Sequence, residues 1–172
     1  MSRITQICET FDRCGTDKGS HHGYSSVYAQ VPVDIKTIFE VGIASGGSIA
    51  SWLELFPDAH IYAIDILAAP FSPHPRITTY HQDIMKFDAS RLPHFDLVID
   101  DGSHSVGDVL IAWEKLWPLC DGTYIIEDVI SPELVPALAK SIEAIQRPGM
   151  WRIEVINTGN KNADDRVIRV QC

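Results

Sequence analysis

Apolar positions along the chain follow two rhythms. Near the start, Ile4, Ile7, Cys8 and Phe11 recur three and four residues apart, which predicts a short amphipathic helix over Ser2–Arg13. From Lys36 onward, short apolar runs alternate with stretches of helical spacing. The runs Lys36–Val41, Ile61–Asp65, Arg76–Tyr80, Phe95–Asp100, Thr123–Ile126, Arg152–Ile156 and Arg166–Val170 are predicted strands. Ser48–Phe56, Ser105–Trp117 and Pro132–Gln146 are predicted helices; Val109, Ala112, Trp113 and Leu116 share one face of the second, and proline opens the third. Ala68–Pro75 holds three prolines and cannot be a long helix.

Strands alternating with helices predict an α/β fold: a doubly wound, Rossmann-like, mostly parallel sheet with helices on both faces. Phe95–Asp100 is nearly all apolar, as expected of a parallel strand covered on both sides. The last two strands are joined by the polar stretch Asn157–Asp165, too short for a crossover helix, and should pair antiparallel. With 172 residues, no internal repeat and no linker, the expectation is one domain over residues 1–172.

The most informative stretch is Ile38–Gly47, where an apolar run carrying Glu40 ends in Gly42, Ala44, Gly46 and Gly47 and a helix follows. Such a strand, tight turn and helix opening lets backbone approach a nucleotide-like ligand. The next strand ends in Asp65, about twenty residues on, where a carboxylate accepts hydrogen bonds from ribose hydroxyls. Gly42-x-Ala44-x-x-Gly47 also fits a nicotinamide fingerprint. Glu40 argues against that reading, because a carboxylate within the strand needs a ligand ammonium or a backbone network as partner.

Composition narrows the partners. A net charge of −9 speaks against nucleic acid and anionic membranes, both of which need a basic surface. It suits a small neutral or cationic ligand, or a metal. Cys8, Cys14, Cys120 and Cys172 have no zinc spacing and are expected to be reduced. No apolar run reaches membrane-spanning length and the start has no signal-peptide pattern, so the expected location is cytoplasmic. Trp52, Trp113, Trp117 and Trp151 are core residues or marks of a dimer surface, which leaves a homodimer open.

In an open α/β sheet, ligands bind beyond the carboxyl ends of the strands. This chain places carboxylates there repeatedly: Asp65, Asp83, Asp100-Asp101 and Glu127-Asp128. Like charges so gathered need a cation or protons between them, and oxygen ligands suit magnesium, manganese or calcium. His104, expected in the first turn of its helix, would be held neutral there and can serve as a general base. Gly15–Tyr24 reads from composition as a polar surface loop.

Glu40-x-Gly42-x-Ala44-x-Gly46 followed by Asp65 resembles the S-adenosylmethionine motif of class I methyltransferases, which usually has glycine where Ala44 stands. A methyl group fits there if the backbone keeps an ordinary φ. More narrowly, Gly15-Thr-Asp-Lys-Gly19 with His22-x-Tyr24, Ile99-Asp-Asp-Gly-Ser-His104 and Ile126-Glu-Asp-Val129 resembles the macrocin O-methyltransferase family. That resemblance implies a seven-stranded sheet with an antiparallel last strand, S-adenosylmethionine as methyl donor, Mg²⁺ or another divalent cation, and a hydroxyl of a sugar as acceptor. Asp101 and Asp128 would help hold the metal and His104 would be the base. Comparison with catechol O-methyltransferase points instead to Asp100 and Glu127, so the choice within each acidic pair stays open. The implied cofactor residues are Lys18, Glu40, Gly42, Ala44, Gly46, Asp65, Asp83 and Asp100, with Lys18 facing the cofactor carboxylate. Residues 1–30 would form a helix and a loop folded over the site. The macrolide enzymes carry a larger N-terminal region, so the acceptor does not transfer. The alternatives are an NAD-dependent oxidoreductase, a cofactor-binding module without transfer activity, and a metal-dependent hydroxylation.

Overall fold

The computed structural model describes residues 1–145, 151–159 and 166–171. Gln146 of the third predicted helix, residues 160–165 of the polar loop and Cys172 lie outside them. Two short helices come first, α1 (Arg3–Cys14) and α2 (Ser25–Tyr28). There follow β1 (Thr37–Val41), α3 (Gly47–Leu55), β2 (His60–Asp65), β3 (Ile77–His81), β4 (Phe95–Asp100) and α4 (Val106–Leu116). The chain continues through β5 (Cys120–Ile126), α5 (Leu134–Ile145), β6 (Arg152–Asn157) and β7 (Arg166–Gln171).

The strands form one seven-stranded sheet in the order β3-β2-β1-β4-β5-β7-β6. β7 runs antiparallel to both neighbours, and the remaining pairings are parallel. Sequential connection explains β1 to β3, and the jump from β3 back to β4 beside β1 makes a switch point at the carboxyl ends of β1 and β4. A crevice belongs there.

Side chains alternate across the sheet, so the core has two layers. On one side Phe39, Val98, Tyr124 and Ile126 pack with Val109, Trp113 and Leu116 of α4 and with Leu138 and Ile142 of α5. On the other, Ile38, Leu97, Ile99 and Ile125 meet Ile7 and Phe11 of α1, Tyr28 of α2, and Ile49 and Trp52 of α3. Phe11 stands edge-on to both Trp52 and Tyr28, at centroid distances of 5.3 and 5.6 Å. Trp52, Trp113 and Trp117 are core residues, and Trp151 is half-buried.

α1 starts where the Ser2 side chain accepts from the Thr5 N–H and stops at Gly15, whose φ of 77° ends the helix. The segment that follows is not a surface loop. Lys18, His22, Tyr24 and Ser25 are all buried, carried over the carboxyl edge of the sheet. Among the described residues, no disulfide joins Cys8, Cys14 and Cys120, and no helix is long and apolar enough to cross a membrane.

Candidate active site

A crevice of about 440 Å³ opens at the switch point, lined by Gly42 and Ala44 after β1, Asp65 after β2, Asp83 beyond β3, and Asp100 and Asp101 at the tip of β4. The glycine turn shapes its floor. Gly42 has φ 93°, and a Cβ there would lie 2.1 Å from the carbonyl oxygen of Asp101, so only glycine lets β1 and β4 close at this point. Gly46 has φ 83° and caps the start of α3. Ala44 is the correction here: its φ is 44°, in the left-handed region, rather than ordinary. The turn demands that conformation whatever residue occupies it.

Asp65 is tied to this turn. Its carboxylate accepts from the N–H groups of Ile43 at 2.7 Å, Ala44 at 3.2 Å and Leu67 at 2.8 Å. Partial burial acts to raise its pKa, and these backbone donors outweigh that and hold it below the ordinary value. Asp100 is different. It is 3 % exposed, Oδ1 accepts from the Gly102 N–H at 3.3 Å, and Oδ2 has no partner among the described residues. Burial, aided by the charges of Asp101 and Asp108, pushes its carboxyl up to about 7. An orphaned carboxylate oxygen in a crevice calls for a cationic or donor ligand.

Glu40 is buried in β1, and its partners are side chains rather than a backbone network. Oε2 accepts from Ser48 Oγ at 3.1 Å and from Trp52 Nε1 at 2.8 Å. Oε1 lies 3.8 Å from the Lys18 ammonium. Ser48 and Trp52 stand four residues apart on one face of α3, a spacing that marks them in retrospect as partners for a strand carboxylate. Glu40 and Gly46 do not line the crevice; they support its turn.

Beyond the crevice, the acidic pairs separate by strand alternation. The β4–β5 register matches Asp100 with Ile126, and one step further Asp101 lies level with Glu127. Lys18, buried at 1 % exposure, donates to Asp101 Oδ2 at 2.5 Å and to Glu127 Oε2. Its ammonium is therefore taken by the protein's own carboxylates, not free for a ligand's. Burial acts to lower its pKa, and Glu127, Asp101 and Glu40 more than offset that, so it stays charged. Tyr28 donates to the other Glu127 oxygen at 2.5 Å.

Asp101, His104 and Asp128 form a half-buried trio whose ligand atoms all lie within 4.8 Å of one another. His104 Nε2 is 3.7 Å from Asp128 Oδ2 and 4.0 Å from Asp101 Oδ1. Tyr24 donates to Asp128 and stacks on His22, with ring centroids 5.2 Å apart. Burial and the Asp101 charge raise Asp128, against the hydrogen bond from Tyr24. The two carboxylates, with open sides, fit a hard divalent cation that keeps waters or substrate oxygens, and the imidazole beside them is left uncoordinated. Glu127 falls outside the trio because both of its oxygens are occupied. His104 is not in the first helical turn: Ser105 is the N-cap, and His104 precedes it with φ 57°. Asp128, at φ 50°, is likewise in the left-handed region. Sequence patterns gave no sign of Tyr28 as a site residue.

A Gly-turn crevice at a switch point, an acid bound to that turn, and the strand order 3-2-1-4-5-7-6 are those of the class I S-adenosylmethionine-dependent methyltransferase fold. Among proteins of that fold the chain resembles the macrocin O-methyltransferase family, and its relatives include proteins named as O-methyltransferases. It is 30 % identical over 135 residues to the 8-demethyl-8-alpha-L-rhamnosyl tetracenomycin-C 2'-O-methyltransferase of Streptomyces olivaceus, covering 68 % of this chain and 36 % of that one. It is 33 % identical over 147 residues to the mycinamicin VI 2''-O-methyltransferase of Micromonospora griseorubida, covering 74 % of this chain and 37 % of that one. Among solved structures, the MycE methyltransferase of the mycinamycin pathway, in complex with Mg, SAH and mycinamycin VI, superposes with a TM-score of 0.74 at 25 % identity. That match covers 95 % of this chain and 53 % of MycE. No protein-family model matches the chain. The chain spans only about a third to a half of the length of these relatives.

Proposed function

We propose that the chain is a divalent-metal-assisted O-methyltransferase that uses S-adenosylmethionine to methylate a hydroxyl of a sugar or a small sugar-containing metabolite. One observation carries this reading: Asp101 belongs both to the lining of the crevice and to the Asp101–His104–Asp128 trio. A donor in the first and a hydroxyl at the second would meet at one residue. The relatives named for O-methylation of sugar-bearing compounds support the same chemistry.

S-adenosylmethionine supplies an electrophilic methyl group, and a divalent cation supplies the charge that makes a bound hydroxyl a better proton donor. Asp65, fixed to the glycine turn, would accept from a ribose hydroxyl. Asp100 Oδ2 would meet the ammonium end of the donor, and Asp83, which lines the same crevice, would face its nucleoside part. Asp101 and Asp128 would hold the cation. His104 Nε2 would take the hydroxyl proton as the oxygen–methyl bond forms and the sulfur–methyl bond breaks, leaving S-adenosylhomocysteine. Much of the rate would come from holding oxygen, methyl and sulfur in line.

The test is calorimetric titration with S-adenosylhomocysteine, with and without Mg²⁺, and with NAD in parallel, followed by methyl transfer to glycosides bearing vicinal hydroxyls. Micromolar binding of S-adenosylhomocysteine without NAD binding is expected. NAD binding in its place would overturn the assignment.

A further inference from the structure

Lys18 stands at the site in company other than the cofactor carboxylate that the family resemblance implies for it. It comes from the segment between α1 and α2, is almost wholly buried, and sits among three carboxylates delivered by three different strands: Glu40, Asp101 and Glu127. A buried lysine is retained only where charges repay its desolvation. Here those charges adjoin the metal-competent trio, because Asp101 belongs to both groups. Its two oxygens are divided: Oδ2 takes Lys18, and Oδ1 faces His104. Tyr28 completes the arrangement by holding the second Glu127 oxygen.

Resting on the metal reading above, we infer that Lys18 is a positioning residue of the metal centre: its ammonium clamps Asp101 against Glu127 and so presents Asp101 Oδ1 to the cation at a fixed place. Without the clamp the two level carboxylates at the tips of β4 and β5 repel and turn apart. Two effects of removing Lys18 then oppose each other. Loss of a nearby positive charge would tighten cation binding, as for any like charge. Loss of the clamp would weaken it. The assignment requires the second to win, which gives the test a sign.

Mn²⁺ affinity should be measured by electron paramagnetic resonance on the full chain and on Lys18→Met, with S-adenosylhomocysteine affinity as the control for an intact fold. The expected result is Mn²⁺ binding weakened at least about tenfold in Lys18→Met, with S-adenosylhomocysteine affinity within about threefold of the parent. Equal or tighter Mn²⁺ binding in the variant would overturn the clamp while leaving the metal site in place. Absence of Mn²⁺ binding in the parent chain would overturn the metal reading itself, and the clamp with it. If Lys18→Met does not fold, Tyr28→Phe decides. It removes only the second Glu127 donor and should weaken Mn²⁺ about threefold, and an unchanged affinity would count against the clamp.

Discussion

Replacing Ala44 with glycine isolates the cost of the turn that forms the crevice. Ala44 is exposed and stands at φ 44°, so its methyl group adds strain and almost no packing. A left-handed conformation costs an L-residue about 1–2 kcal/mol. Glycine forfeits about 0.5–1 kcal/mol of that relief through the greater freedom of its unfolded chain. The net expectation for Ala44→Gly is a gain of about 0.5–1 kcal/mol, or roughly 1–4 °C in melting temperature for a chain of this size. The N–H that donates to Asp65 is kept, so S-adenosylhomocysteine affinity should stay within about threefold. Urea unfolding of the ligand-free proteins reads the change as a higher midpoint at equal slope. Ala44→Val, whose branched side chain tolerates the left-handed region poorly, should move the midpoint the other way. A midpoint for Ala44→Gly at or below the parent's would refute the strained turn.

Other perturbations test other parts. Burial and the Asp101 charge push Glu40 up to about 7, against Lys18, Trp52 and Ser48, from an ordinary value of 4.5. The fold therefore keeps a proton that the unfolded chain releases, and this group's contribution, at most ~3 kcal/mol, is present below pH 4.5 and lost as pH rises through about 7. Glu40→Gln should flatten that decline in urea midpoints taken at about pH 5 and 8; an unchanged slope would count against it. Gly42→Ala forces a Cβ to within 2.1 Å of the Asp101 carbonyl and should abolish S-adenosylhomocysteine binding in calorimetry, whereas intact binding would move the cofactor elsewhere. His104→Ala should lower turnover by about 10²–10⁴-fold with cofactor affinity kept, and full turnover would remove His104 as the base.

The sheet was legible because strand and helix periods differ, and because parallel strands read as apolar runs with an acid at the tip. Asp65, Asp83, Asp100 and Asp101 could be placed near one another from topology alone, since ligands gather beyond carboxyl ends. Three things were hidden. Left-handed φ at Ala44, His104 and Asp128 is imposed by turns that bring distant strands together, and no local preference announces it. The division of labour within each acidic pair follows from which face each residue takes at the strand end, a matter of one-residue register. The burial of Lys18 was out of reach of composition: a lysine in a polar, glycine-rich stretch reads as solvated, and only the family resemblance brought it to the site, without the carboxylates it meets.

Those carboxylates lie far along the chain. Lys18 is separated from Glu127 by 109 positions, and Tyr24 from Asp128 by 104. Closing a loop of that length costs roughly 4 kcal/mol of chain entropy, and the return comes only after β4 and β5 are paired. The segment between α1 and β1 must therefore wait, its lysine still hydrated, until the sheet beneath it is built. Assembly of the acidic site should be a late step in folding, later than formation of the central strands. Refolding monitored through the buried aromatics should run ahead of the recovery of cofactor binding.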